Sequence, residues 1–368
     1  MRQQTTPEKP LGVGLVGLSA EGGWGVRGHL PALKAVDGFE LRALAGSDQR
    51  AAEKAGDKYG IPHVFDDVGR MAAHDEVDVV VVAVRVPRHR ELIVPALNAG
   101  KTVVSEWPLA SDLAEAEELA TAARGQGVRT VVGLQARSSP VVRYVHDLVE
   151  RGYVGRVLST SVIASGGGWG PFVDSRAAYT ADRANGATML SVPFGHTVDA
   201  LTMCLSGFAG LTATTSVRRP EVRNTETGET LPKTAEDQIA VTGELHSGAV
   251  ASIHYRGGSS YGTNMLWEIN GTDGDLVVSG DIGHLQFGNV TVRGASGKNA
   301  RLGELTVPEE YVLFPELGQP ALNVAQAYSQ LGTDIAEGTS VLPDFEHAVE
   351  HHRLLDRIQR AAATGTRQ

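Results

Sequence analysis

Residues 11–33, LGVGLVGLSAEGGWGVRGHLPAL, join a short apolar run, a glycine-rich loop and a segment with helical spacing. The apolar run predicts a buried parallel strand, and Val26, Leu30 and Leu33 recur at intervals of three and four, as on one face of a helix. A helix that follows such a loop suits a pyrophosphate, because its first N–H groups are unpaired and its dipole points the positive end at the loop. The stretch therefore predicts a dinucleotide-binding unit.

The loop departs from the G-x-G-x-x-G pattern of such units. Gly17 takes the first position, Ser19 stands at the second, and AEGGW lengthens the loop before Gly25. A tight strand-to-helix turn without a ligand is the alternative interpretation. The loop residues that we expect to contact the cofactor are Gly17, Leu18, Ser19, Trp24 and Gly25.

Composition limits the class of protein. With 368 residues the chain exceeds what one hydrophobic core normally serves, so we expect about two domains. A net charge of -10 argues against a nucleic-acid partner. Cys204 is the single cysteine, which excludes an internal disulfide and fits a cytoplasmic protein. The polar residues 1–10 lack the apolar core of a signal peptide, and the longest apolar run, 77–84, is too short to span a bilayer.

The first third of the chain alternates strands with helices. Residues 40–45, the valine run 77–84, 102–105 and 130–133 are typical of strands, and residues 48–59, 88–99 and 112–125 are typical of helices. This rhythm predicts an α/β domain over residues 11–133, with a Rossmann-type doubly wound parallel sheet. A polar N-terminal tail, residues 1–10, precedes it.

The end of the second strand bears on the choice of cofactor. Sites that prefer NAD commonly carry an acidic residue there, which accepts a hydrogen bond from the ribose 2′-hydroxyl. Here the strand ends Ala45-Gly46-Ser47, and Ser47 and Arg50 can bind a 2′-phosphate, which favours NADP over NAD. The alternatives are that Asp48 turns inward to the ribose, or that Ser47 is only a helix cap.

The remainder, residues 134–368, predicts an α+β domain. A helix is expected over 139–152, and a series of strands joined by short turns follows, which implies a large, mostly antiparallel sheet. The expected strands are 158–164, 211–217, 238–245, 250–255, 265–269 and 275–278. Two helices, 321–337 and 345–363, are predicted to end the chain.

Residues 99–109, AGKTVVSEWPL, resemble the AGKHVxxEKPL segment of the Gfo/Idh/MocA oxidoreductases. The resemblance implies NAD or NADP as cofactor and an open-faced second-domain sheet that forms a homodimer or homotetramer. In that family the lysine of E-K-P reaches the nicotinamide and the substrate and acts in proton transfer, and Trp107 stands in its place here. By this resemblance Val84, Glu106 and Trp107 join the candidate cofactor contacts.

Further segments resemble a subgroup of this family that includes the fungal galactose-pathway repressor, which binds a dinucleotide and contacts a transcriptional activator. Besides the loop GLSAEGGW and the E-W-P tripeptide, they are 134–140, 166–170, 194–199, 232–238 and 270–276. The subgroup mixes enzymes with regulators. Two functions therefore stay open: an oxidoreductase acting on a sugar or polyol, and a catalytically silent dinucleotide sensor that acts through a protein partner.

Oxidation of an alcohol by a nicotinamide needs a base for the hydroxyl proton. The family supplies the lysine together with an Asp and a His in a D-x-G-x-H segment. Here His196 is retained, while Val192 takes the place of the Asp. His196 is thus the candidate catalytic residue, with Asp199 on the same helical face; the alternative is a histidine bonded to backbone at the helix start.

Aromatic and polar residues suggest a ligand site. The family fold brings the loops of Trp24, Trp107 and Trp169 to one cleft, where indoles stack on nicotinamide or sugar rings, unless each only fills space in its loop. The candidate contacts to a hydroxylated or carboxylated ligand are Gln135, Arg137, Trp169, Arg176 and Tyr179.

Two further features are interpreted as surface features. Lys233 is either a substitute for the lost E-K-P lysine or, as we favour, a surface residue at the start of a strand. His347 and His351 have a spacing that can hold zinc, but a solvated helix face is the favoured interpretation and no metal is expected.

Overall fold

The computed structural model describes residues 9–368, so the predicted polar tail lies outside the described residues except for Lys9 and Pro10. The chain divides into two compact units. The first holds the described residues up to 134 together with 313–352, and the second holds 135–312 together with 353–368.

The first unit is built on six strands and the helices between them. Its strands are β1 (Leu11–Val16), β2 (Phe39–Ala45), β3 (His63–Phe65), β4 (Val79–Val82), β5 (Thr102–Glu106) and β6 (Thr130–Gly133). Its first helices are α1 (Leu30–Ala35), α2 (Gln49–Tyr59), α3 (Val68–Ala72), α4 (His89–Asn98) and α5 (Leu113–Gln126). The strands pair in parallel in the order β3-β2-β1-β4-β5-β6, which confirms the predicted doubly wound sheet.

Local sequence explains where these elements begin and end. All four valines of β4 are buried, as a central parallel strand covered on both faces requires. Asp48 starts α2 and Asp112 starts α5 by accepting backbone N–H groups at 2.8 and 2.9 Å. Gly60 and Gly127 end these helices with φ of 69° and 63°, a left-handed conformation that glycine adopts without a Cβ penalty.

The second unit contains helices α6 (Pro140–Glu150) and α7 (Gly195–Leu205) and the remaining strands. These are β7 (Val157–Gly166), β8 (Phe172–Val173), β9 (Phe208–Ser216), β10 (Glu221–Asn224), β11 (Thr230–Pro232), β12 (Gln238–Leu245), β13 (Val250–Gly257), β14 (Met265–Gly271), β15 (Gly274–Gly280), β16 (Val290–Ser296) and β17 (Gly303–Leu305).

Eight of these strands form one sheet in the order β17-β16-β15-β14-β7-β13-β12-β9. Every pairing in it is antiparallel except that of β7 with β13, so the predicted mostly antiparallel sheet is confirmed. Strand β12 shows why one face packs inward: Ile239 and Val241 are buried, while the alternating Ala240 and Thr242 are exposed. β8, β10 and β11 form a separate small sheet.

The chain ends with α8 (Ala321–Glu337) and α9 (Phe345–Thr364). Val324, Tyr328 and Leu331 of α8 belong to the same hydrophobic core as Leu30 and Leu33 of α1. Residues 313–352 therefore group with the first unit, whereas the sequence predicts that they lie in the second domain. Between residues 9 and 368, no helix is long and apolar enough to cross a membrane.

Candidate functional site

Sheet order brings the predicted cofactor contacts to one edge of the first unit. The glycine-rich loop that contains Gly17 follows β1, Ser47 and Arg50 follow β2, and Val84 follows β4. Glu106 ends β5, and Trp107 comes directly after it. Strand order reverses between the neighbours β1 and β4, and ligands of such sheets bind outside the carboxyl ends of the strands at this point.

The glycine-rich loop has the features that a pyrophosphate site requires. Gly17 has φ of 102°, and a Cβ on it would lie 2.3 Å from the carbonyl oxygen of Ala83, so no other residue fits without a shift. The helical turn Gly25–His29, which leads into α1, has no side-chain cap and no acidic residue in its first turn. Its first N–H groups are therefore suited to an anion.

Helix α2 fixes the outer part of this loop. Lys58 Nζ donates to the carbonyl oxygen of Ala20 at 2.6 Å, and Tyr59 OH donates to that of Ser19 at 3.1 Å. Lys54 pairs with Glu21 at 2.5 Å, which compensates the only carboxylate of the loop. The long insertion before Gly25 is thus held in place by three side chains of one helix.

At the tip of β2 the acidic residue is already engaged. Asp48 Oδ1 accepts the N–H of Ala51 at 2.8 Å as the cap of α2, and Asp48 Oδ2 accepts the hydroxyl of Ser47 at 3.2 Å. The side-chain cap of α2 is therefore Asp48 and not Ser47. Arg50 lies exposed in the first turn of the helix.

A buried hydrogen-bonded triad joins the end of β5 to two helices. His29 Nε2 lies 2.8 Å from Glu106 Oε1, and His29 Nδ1 lies 2.8 Å from the hydroxyl of Tyr328 on α8. Burial, together with the Glu106 carboxylate, raises the pKa of Tyr328 well above its ordinary value. Sequence reasoning selected Glu106 and missed His29 and Tyr328, because no local pattern links residues so far apart in the chain.

A second buried histidine fixes the E-W-P-L segment. His89 Nδ1 lies 3.1 Å from the carbonyl oxygen of Leu109, and its Nε2 lies 3.1 Å from that of Val84. Burial lowers the pKa of His89 and so favours the neutral ring. The side chain thereby connects the chain after β4 to the chain after β5, two of the places where cofactor contacts were predicted.

Trp107 is packed inside the first unit and is only 5% exposed. Its ring centroid lies 4.6 Å from that of His351 and 4.6 Å from that of His352, with tilts of 46° and 48°. Burial lowers the pKa of His352 to about 3. The expected solvated helix face at His351 is therefore wrong, because this imidazole and the next one are buried against the tryptophan.

This packing changes the interpretation of two tryptophans. The Trp107 ring is covered, which does not suit stacking on a nicotinamide, and its backbone remains the candidate contact. Trp24 packs against the core that α1 and α8 share.

Within residues 9–368, no group of three or more His, Cys, Asp or Glu side chains could hold a metal ion.

The predicted catalytic and substrate residues all lie in the second unit. His196 is buried in the first turn of α7. Asp199, one turn further, forms a bidentate pair with Arg137: Nε lies 2.6 Å from Oδ2 and Nη2 lies 3.0 Å from Oδ1. The carboxylate thus fixes the guanidinium, an arrangement that is both charge-assisted and directional.

The other substrate candidates differ in exposure. Gln135 is buried in the turn that precedes α6, Tyr179 is half-buried, and Arg176 is exposed. The ring of Trp169 is stacked on that of His284, with centroids 6.0 Å apart and planes at 29°. Burial lowers the pKa of His284 to about 4, which keeps this imidazole neutral near pH 7.

Lys233 is buried, so the favoured expectation of a surface residue is wrong. Its Nζ lies 3.3 Å from Asp237 Oδ2 and 3.0 Å from the carbonyl oxygen of Trp169. Burial lowers the pKa of Lys233, and the Asp237 carboxylate opposes that effect. The single sequence signal was the P-K-T-A-E-D-Q motif, which gives residue types but no burial.

Two family models match different parts of the chain. The family model described as "Oxidoreductase family, NAD-binding Rossmann fold" matches residues 11–134, and the model "Gal80p, C-terminal domain" matches residues 140–280.

Two curated relatives are similar over most of the chain. The galactose/lactose metabolism regulatory protein GAL80 of Saccharomyces cerevisiae is 30% identical over 77% of this chain and 70% of its own length. The dehydrogenase aclE of Aspergillus oryzae is 30% identical over 97% of both chains.

Solved structures show the same fold. A super-repressor mutant of the Saccharomyces cerevisiae Gal80p superposes with a TM-score of 0.89 at 25% identity, over 98% of this chain and 97% of that one. A levoglucosan dehydrogenase in complex with NADH and levoglucosan superposes with a TM-score of 0.83 at 20% identity, over 98% of this chain and 99% of that one.

Proposed function

The chain belongs to the Gfo/Idh/MocA oxidoreductase family, and we propose that it is an NAD(P)-dependent oxidoreductase that acts on a sugar or a polyol. The observation that carries the proposal is the loop after β1. Gly17 has a conformation and a close approach to Ala83 that exclude a side chain, and an uncapped helical turn without acidic residues follows. These are the requirements of a site that holds a pyrophosphate on backbone N–H groups.

A bound nicotinamide would supply the acceptor for the hydride that leaves a substrate carbon, and the loop that contains Gly17 would hold its dinucleotide. His196 would take the proton of the hydroxyl on that carbon, since a neutral imidazole is an effective base near pH 7. Arg137, held by Asp199, donates hydrogen bonds to a neighbouring substrate oxygen and keeps the substrate in one orientation. Gln135 and Tyr179 supply further polar contacts, and Trp169 supplies an aromatic surface for the ring.

For the cofactor we propose a preference for NADP. Both oxygens of Asp48 have partners, one at the cap of α2 and one at the Ser47 hydroxyl. A 2′-phosphate near Ser47 and Arg50 therefore meets a serine and an exposed guanidinium, and the nearby carboxylate is already hydrogen-bonded.

We further propose a cytoplasmic homo-oligomer, a dimer or a tetramer, assembled through the open face of the eight-stranded sheet. Thr242 and Ser252 lie on that face, and Ile163 and Val250 on the same side are 40% and 60% exposed. A face of small polar and apolar side chains suits burial against a copy of itself.

The second candidate function is a dinucleotide-binding regulator without catalysis, acting through a protein partner. The burial of Trp107 against two histidines favours it, because this residue stands where the family carries its proton-transferring lysine. Of the lysine, the aspartate and the histidine that the family uses for proton transfer, an enzyme of this sequence retains only the histidine, His196.

The test of cofactor binding is a thermal-shift titration of the purified full chain with NAD and NADP. At about 100 times the dissociation constant, a ligand specific for the native state stabilises it by about 2.7 kcal/mol. We expect Gly17→Val to abolish the ligand-induced shift and Gly125→Ala, a glycine of α5 with open space around it, to retain it. If Gly17→Val keeps the full shift, the loop is not the cofactor site.

A further inference from the structure

Two motifs that lie far apart in the sequence meet around one buried ammonium in the second unit. Residues 166–170, GGGWG, carry Trp169, and residues 232–238, PKTAEDQ, carry Lys233 and Asp237. Lys233 Nζ lies 3.0 Å from the carbonyl oxygen of Trp169 and 3.3 Å from Asp237 Oδ2, and the two charged side chains are 2% and 0% exposed. The lysine therefore holds the backbone of the tryptophan directly.

Asp237 is itself fixed from several sides. Its Oδ1 accepts the N–H of Arg218 at 3.0 Å, and its Oδ2 accepts that of Arg219 at 2.8 Å. Its carbonyl oxygen accepts the N–H of Gly257 at 2.7 Å. Burial raises the pKa of Asp237, but the two backbone N–H groups and Lys233 outweigh it and hold the pKa below its ordinary value. The carboxylate is thus charged and immobile, which gives the ammonium a fixed anchor.

The loop around Trp169 packs tightly on the end of β13. A Cβ on Gly257 would lie 2.4 Å from the carbonyl oxygen of Trp169, and a Cβ on Gly170 would lie 2.9 Å from Cα of Gly258. Gly258 also donates its N–H to the carbonyl oxygen of Gly166 at 2.8 Å. The glycines therefore allow the close approach, and Lys233 sets the direction of the carbonyl.

The Trp169 side chain has a hydrogen-bond donor, the indole N–H, that is not used within the described residues. Trp169 Nε1 is buried and, among the described residues, has no hydrogen-bond acceptor. The ring stacks on His284, which stacks in turn on Phe287 with centroids 4.6 Å apart and planes at 24°. A buried N–H without an acceptor is costly, so an oxygen of a bound ligand is a favourable partner for it.

We propose that Lys233 is a positioning residue for ligand recognition, which fixes the Trp169 backbone and thereby the orientation of the indole toward a hydroxylated ring. The inference rests on the proposed function in taking that ligand to be a sugar or polyol. The indole N–H suits a hydroxyl oxygen, and the aromatic surface suits the C–H groups of a sugar ring. Lys233, which was considered as a substitute for the E-K-P lysine, thus positions Trp169 and does not transfer a proton.

The test uses the full chain labelled with 5-fluorotryptophan and observed by ¹⁹F NMR. The chain has four tryptophans, and Trp169→Phe identifies the resonance of Trp169. We expect Lys233→Met to shift or broaden this resonance while that of Trp267, buried in the same unit, stays in place. Lys233→Gln, which keeps a donor for the carbonyl, should restore part of the signal. Lys101→Met is the control, because Lys101 also donates to a backbone carbonyl, that of Val77, but in the first unit.

A titration with levoglucosan and L-sorbose then separates the positioning role of Lys233 from the assignment of the ligand as a sugar or polyol. In the unaltered protein we expect the Trp169 resonance to respond to one of these sugars, and in Lys233→Met we expect the dissociation constant to rise at least about tenfold while the NAD-induced thermal shift persists. An unchanged Trp169 resonance in sugar-free Lys233→Met overturns the positioning role. If the resonance moves in the variant but neither sugar affects it in the unaltered protein, the ligand assignment fails. If Lys233→Met does not fold, Lys233→Ala, which also removes the donor to the Trp169 carbonyl, decides the same comparison.

Discussion

Glu106 Oε1 lies 2.8 Å from Nε2 of His29, so the glutamate of the E-W-P segment is held by the helical turn that follows the glycine-rich loop. Tyr328 completes the contact from the other side of the imidazole. The helical turn after the glycine-rich loop, the end of β5 and helix α8 are thus connected through one buried histidine. Loss of this side chain is expected to affect the stability of the first unit and its affinity for a dinucleotide together.

We expect His29→Ala to lower the free energy of unfolding by about 3 kcal/mol, because it leaves a largely buried carboxylate and a buried hydroxyl with one partner fewer. Urea unfolding measures this loss. Glu91→Ala is the control: its ion pair with Arg88 is exposed, and such pairs contribute about 1 kcal/mol or less. Equal losses in the two variants would contradict the structural role of the triad.

Stability should rise with pH between about 4 and 6.5. Burial lowers the pKa of His284 to about 4 and that of His352 to about 3, so over this range the unfolded chain binds more protons than the folded one. The stabilisation is complete above the ordinary histidine pKa and is lost as the pH falls toward the folded values. For His284 alone the span corresponds to about 3 kcal/mol. Melting curves from pH 4 to 8 test this, and His352→Phe should flatten them; a melting temperature that does not change with pH refutes the prediction.

Charge compensation at Arg137 predicts a preference for neutral ligands. Asp199 binds two nitrogens of the guanidinium, so the pair presents little net positive charge to a substrate. We expect kcat/KM for neutral sugars to exceed that for sugar acids, and Asp199→Asn to reduce the ratio by about tenfold, equivalent to about 1.4 kcal/mol. A ratio that Asp199→Asn leaves unchanged places the ligand away from this pair.

Ser47→Asp tests the proposed choice of cofactor. A carboxylate at this position repels a 2′-phosphate, so we expect the affinity for NADP to fall by about tenfold or more while that for NAD is retained. Ser247→Asp adds the same charge to an exposed turn of the second unit and should leave both affinities unchanged. Isothermal titration with each cofactor gives the ratio, and an equal effect on NAD and NADP argues against a 2′-phosphate at Ser47.

Most of the fold could be predicted because it depends on local periodicity. Strand β12 and helix α8 have the predicted bounds, and the valine run 77–84, predicted to be a strand, contains β4. Helix α3 was missed because five residues carry little periodic signal, and β16 was missed because it buries only Val292 and Gly294. The division of the chain could not be predicted either, because α8 joins the first unit through packing on α1 and not through sequence proximity.

The chemistry of individual residues was less accessible to sequence reasoning. The sequence predicted that the Trp107 ring stacks on a ligand and favoured a surface position for Lys233, but both side chains are buried by partners from distant segments. His351 and His352 cover the first, and Trp169 with Asp237 surrounds the second. Burial of this kind depends on tertiary contacts, which leave no pattern in the neighbouring sequence.

The most direct test of the proposed enzyme is the reduction of NAD or NADP, followed by nicotinamide absorbance, with a panel of sugars and polyols. We expect the unaltered protein to reduce the cofactor with at least one of them and His196→Ala to be slower by about a hundredfold or more, the usual contribution of a general base. A clear cofactor-induced thermal shift with no reduction across the panel would contradict the proposal. Reduction that appears only in Trp107→Lys/Val192→Asp would then identify the chain as a silent dinucleotide-binding protein.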